Sequence, residues 1–414
     1  MDFLLPKISK ILTASDGVKC LLFDTFTKSS ISSLIPHSHF LNNDYFLFDD
    51  IQNTRKKVNI NCVCVLSISS IKNLIQEISN PSYRTYTVLF TTTIDPYLLN
   101  LLAKNDIYGV IREIHEIYMD FCKQDSYLFT LNNINNFIYS LGSKPTFYHY
   151  KQNYEDVVKD PFIDLNSEGG RVFVINRSYD NITPLIIDWH YQAMIKKYCN
   201  YNDGLVKIYD NTYCMDDDFF QNNKFKNISE VSTNIELMVK ELDKKKRIKK
   251  INIKEIEEIN KLGDIVKKHM DIYNCIINNL EEKKQLSENE NLMLKKFKKG
   301  ELSFNNFNEN IKDLNKCVNI NLLNILKSTD KKLKFDFKKQ EDIKLAYVPP
   351  ICKIAKDILK GKMDDWICLD ERFNKSKYTV FYFKGGVTYT EYRHIMIYFK
   401  EHKNVYVVSE SITS

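Results

Sequence analysis

Apolar and β-branched residues crowd into four short runs within the first hundred positions: VKCLLFD (18–24), YFLFDD (45–50), NCVCVLSI (61–68) and YTVLFTT (86–92). Each is short for a helix and nearly continuous, so each predicts a strand buried on both faces. Between them the period changes. In SIKNLIQEISN (70–80), Ile71, Leu74, Ile75 and Ile78 share one helical face, and YLLNLLAKND (97–106) has the same spacing. SISSLIPHSHFL is ambiguous. Strands alternating with helices predict βαβ units, hence an open parallel α/β sheet as an N-terminal domain over residues 1–140.

A second, discontinuous α/β domain is expected over 141–210 and 345–414. RVFVINR (171–177) leads into PLIIDWHYQAMIKKYC (184–199), read as a helix with Thr183 as N-cap and Pro184 at its first position. WICLDE (366–371), YTVFYFKGG (378–386) and NVYVVSE (404–410) are further strands, with TEYRHIMIYFKEH helical between the last two. Strands so isolated pair most economically with one another. The residues between, 211–344, then form a helical third domain: no proline occurs from Leu185 to Val348. Ile256, Ile259, Leu262, Val266, Met270, Tyr273, Ile277 and Leu280 recur at helical spacing, as one long amphipathic helix or two stacked ones. KKKRIKK (244–250) reads as a loop or solvated face.

Composition narrows the class without naming a function. The 414 residues are 43% apolar and 27% charged, with 11 Gly and 9 Pro, an ordinary globular mix of several domains. A net charge of +6, from 59 basic and 53 acidic residues, does not call for nucleic acid. Ten scattered cysteines without a CxxC pair read as reduced thiols of a cytosolic protein. No secretory signal and no membrane-length apolar run is evident.

Catalytic signatures are scarce. Walker, dinucleotide-fingerprint and GxSxG motifs are absent. Gly385-Gly386 fits a tight strand-to-helix turn better than a phosphate loop. His37 and His39 lack a third ligand at metal spacing, so neither a metal nor a cofactor is expected. His115, His190 and His269 read as partly buried tips. Asp216-Asp217-Asp218 reads as a helix N-terminus favoured by negative charge. Arg177 and Asp180 are placed to pair across a turn. The competing reading is an α/β enzyme using the Arg177/Asp180/Gly385 region beneath a helical lid.

The run VFVINRSYDNITPLIIDWHYQAM (172–194) resembles the Sec/Munc (SM) family of syntaxin-binding vesicle-fusion regulators, in which a strand ends in Asp-Arg, followed by Asp, Thr-Pro-Leu-Leu and Tyr-Gln-Ala. KCLLFDTFTKSSISSL, YFLFDDIQNTRKK, PSYRTYTVLFTTTI, LLAKNDIYGVIREIHEIYMDF, YVPPICKIAKDILKGKM and FKGGVTYTEYRHI follow the family in order. Trp189 before His190-Tyr191-Gln192-Ala193-Met194 is most similar to the branch serving endosomal, Golgi and vacuolar transport. Asn176 stands where the family usually has Asp, which leaves the pairing role to Arg177 and Asp180. After helices ending near Lys339 the chain passes directly to YVPPICKI, so domain three is expected to be shortened.

The resemblance implies binding and no catalysis. The fold would be α/β plus α: an SM-type arch of the two α/β domains and the helical domain, in which the N-terminal and helical domains frame a cavity for a syntaxin-type SNARE and the assembled SNARE complex. A pocket for the SNARE's N-terminal peptide maps to Leu99, Ile111, Ile114 and Glu116. The cavity side maps to Asp24, Asp49, Asp50 and Arg55. Thr183, Pro184, Gly385 and Gly386, with Arg177 and Asp180, belong to a structural motif. The protein would be a cytoplasmic monomer reaching endosomal and Golgi membranes through its SNAREs.

Overall fold

The strand runs of the N-terminal region are apolar on both faces, and a sheet built from them has to be covered twice. The computed structural model describes residues 4–14, 17–151, 168–180, 183–185, 188–202, 204–247, 253–282, 292, 337–340, 343–368 and 377–413. Its contacts divide into two compact units: Met1–Ile175 with Trp366–Lys384 and Asn404–Ser411, and Asn176–Asp365 with Gly385–Lys403 and Ile412–Ser414. The expected N-terminal domain and the strands of the expected second domain thus fall together in unit 1.

Unit 1 opens with helix α1 (Leu4–Leu12), then β1 (Lys19–Phe23), α2 (Thr25–Leu34), α3 (His37–Leu41), β2 (Tyr45–Asp50), β3 (Val58–Leu66), α4 (Ile71–Ser79), β4 (Tyr83–Phe90), α5 (Pro96–Asn105) and β5 (Ile111–Glu116). The five strands form an all-parallel sheet in the order β2-β1-β3-β4-β5. Alternation divides its side chains. Cys62, Cys64, Leu66, Val88 and Phe90 enter one core with Leu74 and Ile78, while Leu21, Val63, Val65 and Leu89 enter another. Each fully buried Leu, Val or Phe contributes roughly 1.5–3 kcal/mol.

The second core is shared with a seven-stranded sheet in the same unit. Its strands are β6 (Phe121–Asp125), β7 (Leu128–Leu131), β8 (Lys144–Tyr150) and β9 (Glu168–Asn176), with α6 (Ile134–Leu141) between β7 and β8. Val172, Val174, Tyr406 and Val408 close this core from the far side. The four expected strands do find one another, but β6, β7 and β8 join them, and β6 and β7 come from residues expected in the N-terminal domain.

Unit 2 holds α7 (Tyr191–Tyr198), a three-stranded antiparallel sheet of β10 (Asn200–Asn202), β11 (Leu205–Ile208) and β12 (Asn211–Cys214), then α8 (Asp218–Asn223), α9 (Ile228–Lys246) and α10 (Ile253–Glu282). A hairpin of β13 (Phe337–Gln340) and β14 (Ile343–Tyr347) and helix α11 (Ile351–Leu359) follow. Three strands then return to the seven-stranded sheet: β15 (Trp366–Cys368), β16 (Tyr378–Lys384) and β17 (Val405–Ser409). That sheet runs β15-β8-β9-β16-β17-β7-β6, with β15–β8 and β7–β6 antiparallel and β8–β9, β16–β17 and β17–β7 parallel. Helix α12 (Tyr389–Tyr398), between β16 and β17, belongs to unit 2.

Two helices differ from expectation. The long helix is single and passes straight through Gly263, but its buried seam is Val266, His269, Ile272 and Ile276, whereas Ile256 and Met270 are exposed. His269 turns inward because Tyr191 Oη lies 2.8 Å from its Nδ1 and the Asp217 carboxylate 3.1 Å from its Nε2. Asp217 in turn caps α8 by accepting from Phe220 N, so the acidic triplet does mark a helix start. The helix expected from Pro184 starts only at Tyr191; Thr183–Leu185 is a separate 3₁₀ turn. Thr183 is no N-cap there, because its N–H and hydroxyl both donate to Asp180. Lys244 to Arg247 end α9. The rest of the KKKRIKK run and most of the stretch on which a shortened third domain was expected lie outside the described residues.

The polar cluster of unit 2 explains the 172–194 motif. Arg177 comes within 3.7 Å of Asp180, as expected, but its main partner is Glu391 on α12: Nη1 and Nη2 donate to the two carboxylate oxygens at 2.7 and 2.9 Å. Tyr179 Oη also donates to Glu391, and Glu391 closes a capping box with Thr388. Burial pushes Glu391 upward, yet the charge and hydrogen bonds of Arg177 hold it below its ordinary pKa; Asp180 is raised by burial and by the neighbouring Glu391 charge. Gly385 has φ +86°, and a Cβ there would lie 3.2 Å from Arg177 Cβ. The tight turn at Gly385-Gly386 is the one that lets the guanidinium reach α12.

Breaking that pair from one side strands a buried charge, so Glu391→Gln should destabilise by about 3–5 kcal/mol, while Arg177→Met with Glu391→Leu loses less than the single change. Urea unfolding of the three proteins measures this; equal stability of Glu391→Gln and wild type would refute the account. The buried histidines set the pH response. Burial, then the nearby Arg393 charge, lowers His394 to about 3, and burial likewise lowers His149 and His269. Their folded pKa values lie below the ordinary value of about 6.5, so on acidification only the unfolded chain takes up these protons, and stability is lost as the pH falls below about 6.5. Asp24, Asp188, Asp217 and Glu391 have depressed folded values, so their contribution is present above the ordinary carboxylate range and lost below it. Urea midpoints should therefore fall between about pH 7 and pH 5 and fall further below about pH 4; His394→Leu should flatten the first segment.

Candidate partner-binding surfaces

In an order of 2-1-3-4-5 the chain leaves β1 to one side and returns at β3 on the other, and a crevice opens at the carboxyl ends of these two strands. Here a side chain fills it. Asp24, directly after β1, accepts from Thr27 N at 2.8 Å, Ser67 N at 2.8 Å, Ser67 Oγ at 2.7 Å and Ser70 Oγ at 2.8 Å. Burial raises its pKa, but these donors more than offset that and hold it below the ordinary carboxylate value. Asp24 is therefore turned inward, plugging the crevice and capping α2.

Arg55 is also internal. Its side chain is 5% exposed, with Nη1 3.0 Å from Glu77 Oε2, Nε 3.4 Å from Asp49 Oδ2 and Nη2 donating to the carbonyls of Asp50 and Asn53. It ties the loop after β2 to α4. Asp49 and Asp50 remain half-buried at the loop surface, bonded to Asn53 and to the Gln52 amide. Of the four residues placed on the cavity side, the structure thus leaves these two accessible.

The same edge shows residues that the sequence pattern hid. Phe46 is 62% and Leu47 37% exposed, with Leu41 beside them in sequence at 42%. The run YFLFDD reads as a doubly buried strand, but β2 is the sheet's edge, so part of it faces outward.

On the opposite edge, α5 and β5 bring Leu99, Ile111 and Ile114 together: all three are half-buried and pack against the core of Leu74, Ile78 and Val88. Glu116 accepts from Ile94 N at 2.9 Å and from Tyr118 Oη at 2.8 Å. These bonds fix its carboxylate at the end of β5. Tyr97 at the start of α5 and Ile107 and Tyr108 just beyond its end are 71%, 73% and 62% exposed. None of these three stood out in the sequence: Tyr97 opens the helical run without belonging to its apolar face, and helical periodicity says nothing about Ile107 and Tyr108 beyond the helix.

Among the described residues no cluster of histidine, cysteine and carboxylate groups suits a metal ion. His37 packs against Phe48 with their rings tilted by 35°, and His39 Nε2 lies 3.4 Å from Ser9 Oγ. The described cysteines are free thiols, Cys62 and Cys64 with their sulfurs 3.7 Å apart. No helix among them is long and apolar enough to cross a membrane.

Both the sequence and the fold have known relatives. Vacuolar protein sorting-associated protein 45 of Dictyostelium discoideum is 27% identical over 302 residues, covering 61% of this chain and 53% of that protein. The human protein of the same name is 25% identical over 289 residues, covering 58% of this chain and 50% of its own length. The chain spans about half the length of the curated relatives it matches. In fold it is similar to the SM protein Vps45 in complex with the Qa SNARE Tlg2, with a TM-score of 0.76 at 19% identity over 100% of this chain and 95% of that one. Sly1p in complex with an N-terminal peptide of Sed5p gives 0.71 at 15% identity, over 100% and 96%. The family model for Sec1 matches residues 19–160 and 148–273, more than half of the sequence and all of the N-terminal sheet with its two candidate edges. On that match, and with the fold alongside it, the chain is a member of the Sec1 family.

Proposed function

We propose that this chain regulates SNARE-mediated vesicle fusion by binding a syntaxin-type SNARE, and that it serves endosomal, Golgi and vacuolar transport. Family membership supports the reading, and so do the similar structures, one holding a Qa SNARE and another the N-terminal peptide of Sed5p. The observation that carries it on this chain is the β5 edge: half-buried Leu99, Ile111 and Ile114, with exposed Tyr97, Ile107 and Tyr108 on α5 and the loop after it and the oriented Glu116 at the end of β5. An apolar anchor of a short peptide would sit on the aliphatic group, with a basic residue beside the carboxylate. Asp49, Asp50 and the exposed Phe46 would meet the folded part of the SNARE. The protein would act as a monomer in the cytoplasm, held at endosomal and Golgi membranes by its SNAREs. Arg177, Asp180 and Glu391 are bound to one another, which speaks for a structural role over the enzyme reading.

Fluorescence anisotropy with labelled N-terminal peptides of candidate syntaxin-type SNAREs tests this. Tyr97→Ala and Ile107→Ala alter exposed side chains and should each weaken binding; Leu99→Lys and Ile111→Asp should cost about 2 kcal/mol or more, roughly thirtyfold in Kd. Asp24→Asn should lower stability and leave the affinity of the folded protein unchanged. If neither a peptide nor a SNARE cytosolic domain binds the wild-type chain, the reading fails.

A further inference from the structure

Beside the carboxyl end of α1, the amino-terminal halves of β3, β4 and β5 line a half-open cavity of about 540 Å³. Small-ligand sites typically span roughly 300–1,000 Å³. Its polar lining is Asn61, Arg84, Thr85, Thr87, Arg112 and Glu113. It lies away from the Asp24 crevice at the other end of the strands and away from Leu99, Ile111 and Ile114, which face the opposite core.

Two arginines here are held differently from Arg55 and Arg177, which are bound to carboxylates. Arg84 donates through Nε and Nη2, at 3.2 and 2.9 Å, to the neutral amide oxygen of Asn61. Arg112 is exposed and makes no hydrogen bond or ion pair among the described residues. Among the described residues no carboxylate pairs with these two guanidiniums; Glu113, the one carboxylate in the lining, has an oxygen 2.7 Å from the His115 ring nitrogen. Thr85 donates to Asn61 at 2.7 Å, so the amide is fixed and the hydroxyls can still accept. No aromatic ring lines the cavity, so there is no platform for a nucleobase.

We propose that this cavity binds a phosphorylated polyol. A phosphate suits the arginine pair through charge-assisted hydrogen bonds, and hydroxyls of the polyol suit the threonines and the remaining oxygen of Glu113. The same chemistry is offered by a soluble inositol or sugar phosphate and by the headgroup of a phosphoinositide lipid.

The full chain is titrated calorimetrically with inositol trisphosphate, unphosphorylated inositol and inorganic phosphate, and sedimented with phosphatidylcholine vesicles with and without phosphatidylinositol phosphate. Inositol trisphosphate should bind and inositol should not. Arg84→Gln and Arg112→Gln should each weaken it about tenfold, the loss expected for one charge-assisted hydrogen bond. Arg112 is exposed, so its variant should melt at the wild-type temperature, which separates lost binding from lost folding. Glu113→Gln should weaken inositol trisphosphate but not inorganic phosphate. Sedimentation with the phosphoinositide vesicles identifies a lipid source, and soluble binding without it identifies a free one. No heat with inositol trisphosphate, unchanged affinity in both arginine variants, or equal affinity for inorganic phosphate would each overturn the proposal.

Discussion

Every large element of unit 1 answers to one constraint: a parallel sheet of doubly apolar strands has two faces that water must not reach. One face of the N-terminal sheet is closed by α4 and α5. The other is closed by a second sheet, with Val63 and Val65 packed into the same core as Val172, Val380 and Val408. Three of that second sheet's seven strands come from Trp366 onward, far along the chain from β9, which ends at Asn176. The intervening chain is therefore free to build a separate helical unit, provided it returns to deliver β16 and β17.

The N-terminal sheet was legible because its strands are short, continuous and punctuated by amphipathic helices. The second sheet was only half legible. β8 (KPTFYHY) and β6 (FCKQD) mix polar and aromatic residues, since they lie toward the sheet's margins and bury only some positions. Thr183-Pro184 has the local signature of a helix start, but a neighbour pre-empts it: Asp180, three positions earlier, takes both donors of Thr183. The α10 seam was misplaced because His269 is polar in every scale yet fully buried, its ring nitrogens engaged by Tyr191 and Asp217.

The candidate surfaces were legible only through resemblance, which transfers positions and says nothing of how each charge is used. Asp24 and Arg55 sit at loop ends where a partner contact is plausible by position. Their hydrogen bonds run inward instead, to serines, backbone carbonyls and Glu77. Glu391 shows the converse. No spacing rule links it to Arg177, 214 positions earlier, and only folding makes their pairing visible.

The β2 edge carries one more implication. An outermost strand with Phe46 and Leu47 turned outward is an invitation to sheet extension, in which a second copy of the chain docks backbone to backbone. Two features work against it: the pairing of β1 with β2 is irregular at Lys19–Cys20, and consecutive carboxylates, Asp49 and Asp50, end the strand. Charge at the tip of an apolar edge acts as a gatekeeper against aggregation. The acidic pair proposed above to meet a SNARE would thus also oppose edge-to-edge association, so neutralising it would trade partner selectivity and colloidal stability together.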